Sequence, residues 1–234
     1  MKSVDDAREL AVSLVRTGAS LGRRVRAVIS DMEQPLGRTA GNFLEVREAV
    51  ETLRGGGPED LVELTLRLGA HMLVLGGLAD GVEEGQRQCR RRLEDGSAWE
   101  RFLANVAAQG GDVEVVRDPQ RGPRARTVEE LPAARSGYVQ NVDAYRIGLA
   151  AGLLGAGRAR KEDAVRAEAG IELLKIQGDR VSAGEGLCRL HLGEGGNLAE
   201  ALELAREAYA LSDRQRRPSS RLLEELSSDD LGKD

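Results

Sequence analysis

The sequence predicts an α/β protein: part of a mostly parallel or mixed sheet covered by helices, followed by a small α+β C-terminal domain. Three observations predict this class. Residues 25–30 form a short apolar run with little alternation, which is typical of a strand buried on both faces. Residues 43–109 then carry apolar stripes at helical spacing. After residue 136, short apolar runs alternate with glycines, a pattern of strands and turns.

The helices follow from caps and apolar periodicity. The first is predicted from Ser3, which forms a capping-box-like pair with Asp6, to about Gly18. Asn42 is predicted as the N-cap of the second helix. This second helix is predicted at residues 43–53, and three further helices are predicted at residues 61–78, 82–94 and 98–109.

The second half of the chain is predicted to begin with a linker. Residues 112–135 are polar and contain three prolines and five arginines, so we expect an exposed, poorly ordered segment. Beyond it we predict strands at residues 137–143, 171–176 and 186–191 and helices at residues 147–154 and 198–211. The predicted domains are therefore residues 1–111, a linker at 112–135, residues 136–215 and a charged tail at 216–234, in which residues 221–226 form a strand or a helical turn.

The composition argues against several functions. A net charge of -5 and an aromatic content of 3% give no basis for nucleic-acid binding. No apolar run approaches the ~20 residues of a membrane-spanning helix. Cys89 and Cys188 lie far apart, in neither a disulfide nor a metal pattern, which favours reduced thiols. The chain opens with polar and acidic residues rather than a secretory signal, so we expect a cytoplasmic protein.

The loop between the first strand and the second helix is the best candidate for a ligand site. A strand, a turn and a helix in this order place ligands at the carboxyl end of the strand. Pro35 fixes its φ angle, and Gly37 and Gly41 allow positive φ, so the turn is expected to be rigid. Asp31, at the strand end, is either a catalytic acid or the first residue of an Asx turn or cap.

This loop also carries a family resemblance. The run Ser30-Asp-Met-x-Gln-Pro-Leu-Gly-x-x-x-Gly-Asn-x-Leu-Glu-Val-x-Glu-Ala49 resembles the pyrimidine-nucleoside phosphorylase and thymidine phosphorylase family. Shorter matches include Gly69-Ala-His-Met72, Ser136-Gly-Tyr-Val139 and Gly178-Asp-Arg-Val-x-x-Gly-Glu-x-Leu187. Family members are longer, and the chain resembles only their C-terminal half. Residues 1–111 would then be the C-terminal part of the phosphorylase α/β domain.

The resemblance implies a potassium site in the loop. Its ligands would be the backbone carbonyls of Leu36 and Thr39 and the carboxylate of Glu48. A large monovalent cation suits neutral carbonyl oxygens together with one anionic oxygen. The alternative is that Glu48 faces solvent on its helix.

The resemblance further implies pyrimidine nucleoside phosphorolysis, in which phosphate is the co-substrate and the products are a free base and a (deoxy)ribose 1-phosphate. Relatives bind phosphate and base through residues upstream of the part that this chain resembles. We therefore assign no catalytic residue here, the substrate-binding residues stay unknown, and the chain alone is expected to be inactive. The sequence leaves open thymidine against uridine preference and the oligomeric state, although family members are homodimers. The alternative function is a non-catalytic fragment or subunit that acts as a binding or interaction module.

Four other features favour structural roles. His71 lies on an apolar helix face, which favours a packed histidine over a catalytic one. His191 ends a strand without a partner histidine or cysteine, so a metal is not expected there. The turn at residues 178–187 is interpreted as architecture. The basic run of residues 121–126 is interpreted as a solvated part of the linker, with a docking patch as the alternative.

Overall fold

A computed structural model describes residues 3–158, 160–162 and 164–228. Their α-helices, in chain order, are α1 (Val4–Ser20), α2 (Asn42–Leu53), α3 (Glu59–Leu75), α4 (Val82–Glu94), α5 (Ser97–Ala108), α6 (Val113–Arg117), α7 (Ala144–Ala151) and α8 (Leu198–Ala208). Their strands are β1 (Arg26–Ser30), β2 (Thr39–Ala40), β3 (Thr127–Pro132), β4 (Gly137–Val142), β5 (Gly170–Leu173), β6 (Arg180–Val181), β7 (Gly186–Leu192), β8 (Tyr209–Ser212) and β9 (Leu222–Ser227). None of these helices combines the length and apolarity that crossing a membrane requires.

The α/β class with a small C-terminal domain is confirmed, and the helix predictions are confirmed to within a few residues at each end. The Ser3 hydroxyl accepts the Asp6 N–H at 3.1 Å, as the capping pattern predicts. The cap of α2 was predicted wrongly. Gly41, with φ +146°, is the N-cap, and Asn42 is already helical. The Glu45 carboxylate accepts the Gly41 N–H at 2.9 Å, so a side chain of the helix satisfies the backbone N–H of the N-cap residue.

The predicted direction and burial of the first strand are wrong. β1 pairs antiparallel with β9, in a two-stranded sheet of the described residues. Ile29 is its buried residue, and the other four are half-buried. The partner comes from the segment predicted as a charged tail, where residues 222–227 form a strand rather than a helical turn. The end of that predicted tail, residues 229–234, lies outside the described residues.

The chain divides into two compact units. The first comprises the described parts of Met1–Asp31, Glu59–Asp95 and Ser220–Asp234, and holds α1, α3, α4 and the β1–β9 pair. The second comprises Met32–Pro58 and Gly96–Ser219. Each unit is built from segments distant in sequence, so the predicted boundary at residue 111 does not coincide with a structural one.

The second unit contains two antiparallel sheets, ordered β2-β5-β7-β3 and β6-β4-β8. Its main core comes from strands and helices beyond residue 130. Side chains no more than 1% exposed include Leu131, Ile147, Leu154, Ile171 and Leu190. Burying each such side chain contributes about 1.5–3 kcal/mol.

The predicted linker at residues 112–135 is wrong for most of its length. Asp112 caps α6, and Val116 packs with Val50 and Leu103 in a small apolar cluster. β3 then forms the edge of the four-stranded sheet by pairing with β7, and Leu131 enters the main core. The polar composition misled because β3 exposes most of its side chains and needs few apolar residues to be held in place.

In the first unit, a charge network joins α3 to the β1–β9 pair. The Arg67 guanidinium donates to Glu225 at 2.6 Å, and His71 Nε2 lies 2.9 Å from the same carboxylate. His71 Nδ1 lies 3.4 Å from the Arg26 guanidinium. His71 is 6% exposed, so its interpretation as a packed and partnered histidine is confirmed. The neighbouring Arg67, and next His71, lower the pKa of Glu225 to about 2.

This network predicts acid sensitivity. Because the folded pKa of Glu225 is below its ordinary value of 4.5, its stabilisation is present above pH ~4.5 and is lost as pH falls towards 2, on the order of 2 kcal/mol. In urea unfolding, the free energy of unfolding of Glu225→Gln should therefore be well below that of the wild type at pH 7 and close to it near pH 2. The exposed Glu9→Gln should track wild type at both. If Glu225→Gln is as much less stable than the wild type at pH 2 as at pH 7, the stabilisation by Glu225 is not ionic.

Candidate functional site

The predicted site loop lies in the second unit and folds back onto α2. Glu48, one and a half turns into α2, is 8% exposed. Its Oε1 accepts the backbone N–H of Arg38 at 2.7 Å. The alternative in which Glu48 faces solvent is therefore wrong. A buried carboxylate that accepts a backbone N–H is a strong, charge-assisted contact, and it ties the turn to the helix.

Gly37 is what allows this contact. It has φ +72°, a conformation that L-residues with a side chain rarely adopt. A Cβ atom at this position would stand 2.3 Å from Oε2 of Glu48. The backbone of residue 37 therefore lies directly against the carboxylate, and the absence of a side chain makes room for it.

The turn leads into β2, whose pairing sets the direction of the Thr39 carbonyl. Thr39 lies opposite Glu172 of β5, and the flanking hydrogen bond runs from Leu173 N–H to the Arg38 carbonyl at 2.7 Å. Thr39 is thus the non-hydrogen-bonded member of the ladder, and its own carbonyl points away from β5. Its hydroxyl Oγ1 is buried and has no hydrogen-bond partner among the described residues.

Two glycines hold the end of the turn against β5. A Cβ on Gly41 would lie 2.4 Å from the Ala169 carbonyl, and one on Gly170 would lie 2.4 Å from the Ala40 carbonyl. This reciprocal backbone approach leaves no space for a side chain on either strand. The position of β2 is therefore fixed from both sides, by Glu48 through Arg38 and by β5.

Leu36 and Thr39, two of the predicted ligands, flank the stretch of the turn that contacts the third, Glu48. Gly37 and Arg38, which both contact the Glu48 carboxylate, are the two residues between Leu36 and Thr39. One turn therefore combines a buried anionic oxygen, a carbonyl directed away from its sheet partner and an unpartnered hydroxyl. Across the described residues, no three His, Cys, Asp or Glu side chains cluster as a metal site. Oxygen donors of this kind, one anionic and the others neutral, suit a monovalent cation better than a transition metal.

Asp31 is not part of this turn. It belongs to the first unit, where Arg221 Nη1 lies 3.6 Å from its carboxylate. Arg221 also donates to Asp60 at 3.2 Å, and its carbonyl accepts the Asp31 N–H at 2.8 Å. These contacts give Asp31 a structural role in holding residue 221 beside the end of β1.

The second unit also contains a pocket that was not predicted from the sequence. It is lined by α2, by residues 119–125 and by β3 and β7, and it includes Arg47, Arg124 and His191. Its lining combines residues 43–47, 119–128, 168 and 191, which are separated in sequence, so no local pattern indicates it. The only sequence signal was the basic run at residues 121–126.

Two family models match the chain. The "Glycosyl transferase family, a/b domain" model matches residues 1–99, and the "Pyrimidine nucleoside phosphorylase C-terminal domain" model matches residues 138–212. The site loop therefore lies within a stretch that is similar to the a/b domain of a glycosyl transferase family.

The curated relatives narrow this class. The chain is 46% identical over 191 residues to a pyrimidine-nucleoside phosphorylase of Geobacillus stearothermophilus, and 48% identical to one of Bacillus subtilis (strain 168). A Staphylococcus aureus (strain USA300) phosphorylase of the same name is 45% identical. The chain belongs to the pyrimidine-nucleoside phosphorylase family. Each match covers 82% of this chain and 44% of the relative.

The contact between residue 37 and Glu48 can be tested with two glycine substitutions. Gly55 also has positive φ, +87°, but a Cβ there would meet nothing within 4 Å. Gly55→Ala should cost only the backbone strain, about 1 kcal/mol. Gly37→Ala should cost about 1–3 kcal/mol more, because it also displaces the Glu48 carboxylate. Urea unfolding of the two variants measures the difference, and equal losses would show that the turn does not rest on Glu48.

Proposed function

We propose that this chain forms part of a pyrimidine-nucleoside phosphorylase, which transfers the pentosyl group of a pyrimidine nucleoside to phosphate. The observation that carries the proposal is 45–48% identity over 191 residues to enzymes of that name. That stretch is most of the chain, whereas the relatives extend well beyond it. Scaffold, cation site and one wall of the cleft are the contributions that we assign to this chain.

In the proposed reaction, a phosphate oxygen attacks C1′ of the pentose. The bond from C1′ to the pyrimidine nitrogen breaks, and its electron pair leaves with the base. The products are the free base and a pentose 1-phosphate. Positive charge develops on the sugar in the transition state, so the enzyme must hold the phosphate dianion in line and stabilise the leaving base. We assign both tasks to the part of the relatives that this chain does not span.

For the site loop we propose a potassium ion bound by the Leu36 and Thr39 carbonyls and by Glu48. Burial of Glu48, the outward direction of the Thr39 carbonyl and the contact at Gly37 support this assignment. When bound, the ion supplies fixed positive charge near the phosphate. Glu48 would balance that charge while it continues to hold the turn through the Arg38 N–H.

We further propose a cytoplasmic location and a homodimer, as expected for the family. Cys89 and Cys188 are both free thiols, which supports a reducing compartment. Burial raises the pKa of Cys188 to about 12, so it stays an unreactive thiol at neutral pH.

Reconstitution tests the activity. The 234-residue chain alone should match buffer in phosphorolysis of thymidine and of uridine. Addition of the part of the Bacillus subtilis relative that it does not span should restore turnover with at least one of them. Turnover on the order of 1 per second by the chain alone would contradict the division of roles. A soluble complex without turnover would favour the interaction-module alternative.

Thermal unfolding tests the cation site independently of activity. Potassium at ten times its Kd should stabilise the protein by about 1.4 kcal/mol relative to tetramethylammonium at equal ionic strength. Glu48→Gln should abolish this difference. Glu51→Gln, on the exposed side of the same helix, should retain it. The measurement is made on the chain alone and on the reconstituted complex. If potassium still stabilises Glu48→Gln in both samples, the assignment is overturned.

A further inference from the structure

The missed pocket in the second unit has a volume of about 210 Å³. Its lining is chemically mixed. One wall is apolar, with Phe43 and Leu44 of α2 and Val128 of β3, and the prolines at 119 and 123 close the rim. The polar lining comprises Gln120 and four residues that can carry charge: Arg47, Arg124, Glu168 and His191.

Neither arginine forms a close ion pair with a carboxylate of the described residues, although Arg47 acts at longer range on Glu172 and is the smallest of the influences that lower the pKa of that carboxyl. Arg47 is half-buried on α2 and forms no salt bridge with any described residue. Arg124 donates to the carbonyl and the side chain of Gln120, which are neutral acceptors. Arg121, three residues earlier, shows the contrast, because it lies 3.6 Å from Glu114. Two guanidinium groups that line one pocket without a close carboxylate partner favour an anionic oxygen ligand.

His191 adds an unused polar atom. Its side chain is 14% exposed, and its Nε2 is buried without a hydrogen-bond partner in the described part of the chain. Glu172 lies 3.9 Å away, beyond hydrogen-bond distance but close enough for His191, and next Arg189 at 3.5 Å, to lower the pKa of its carboxyl. A buried ring nitrogen that is left unsatisfied calls for an explanation, and a ligand in the pocket would supply one.

Glu168 restricts the ligand further. Its carboxylate lies in the same lining and would repel a simple anion, but it accepts hydrogen bonds from hydroxyl groups. The apolar wall offers contact to a carbon face. A ligand that satisfies all three features has a phosphate at one end and a hydroxylated ring at the other.

From the convergence of Arg47, Arg124, His191 and Glu168 on one pocket, we propose a second ligand site for a small hydroxylated phosphate ester of the sugar phosphate class. The arginines and His191 bind the phosphate, and Glu168 accepts from the hydroxyls. This site involves neither Glu48 nor the carbonyls of Leu36 and Thr39. The proposal for this site is therefore independent of the potassium assignment and of the proposed reaction.

Histidine NMR provides a direct readout, because the chain has two histidines. His191→Gln assigns the imidazole signals, and His71, in the other unit, is the internal reference. Titration with ribose 5-phosphate should move the His191 signals saturably and leave those of His71 in place. Inorganic phosphate should bind more weakly at the same position, and ribose should not bind. Unmoved His191 signals, or equal shifts at both histidines, overturn the proposal.

Variants separate this site from unspecific attraction to the basic segment. Arg47→Gln and Arg124→Gln should each weaken ribose 5-phosphate binding at least about tenfold, the loss of a charge-assisted hydrogen bond. Arg121→Gln removes the same charge outside the pocket lining and should change the Kd less than about twofold. Glu168→Gln should reduce the preference for ribose 5-phosphate over phosphate. Arg124 is exposed, so its variant should fold even if Arg47→Gln does not. Equal weakening by Arg121→Gln and Arg124→Gln contradicts a defined site.

Discussion

The hydrogen bond from the Arg38 N–H to the buried carboxylate of Glu48 is the contact on which the site loop depends. It links a turn without regular structure to the middle of α2. Burial of a carboxylate costs free energy unless hydrogen bonds replace its water, and the backbone of the turn provides one. Gly37 must have no side chain for this contact to form, and its positive φ gives the turn its direction.

The same contact sets the chemistry available to the loop. Once Arg38 is held from one side by Glu48 and from the other by Leu173 of β5, the peptide groups on either side of it have little freedom. Carbonyl oxygens that are fixed in advance make better cation ligands than mobile ones, because binding does not have to order them. Glu48 would serve both as the anchor of the turn and as the anionic ligand of the proposed potassium ion. Its replacement should therefore affect stability and cation binding together.

The sequence was informative wherever the physical cause is local. The spacing of apolar residues predicted α3, α4 and α5, because the buried face of an amphipathic helix is visible in its own sequence. The sequence did not predict how the first strand pairs, because nothing within residues 25–30 indicates that their partner is β9, nearly 200 residues away. The segment at 112–135 failed for the same reason. Leu131 and Val116 are isolated apolar residues in a polar stretch, and their partners lie elsewhere in the chain.

The candidate ligands Leu36, Thr39 and Glu48 came from the family resemblance and not from periodicity. The helical pattern alone favoured a Glu48 that faces solvent. The structure decides that point through burial and adds what no pattern could provide, namely the contact with Gly37. The pocket around His191 could not be predicted from the sequence for a further reason. It depends on the path of residues 119–125, which were expected to be exposed and poorly ordered.

Backbone amide exchange at Arg38 is the most direct test of this account. If Glu48 holds the turn, the Arg38 amide is protected from exchange with solvent although it lies outside every helix of the described chain, and Glu48→Gln releases it while Glu51→Gln does not. Protection should be present without any added cation, because the donor and acceptor belong to the chain itself. An Arg38 amide that exchanges in the wild-type protein as fast as an exposed loop amide would show that Glu48 does not organise the turn.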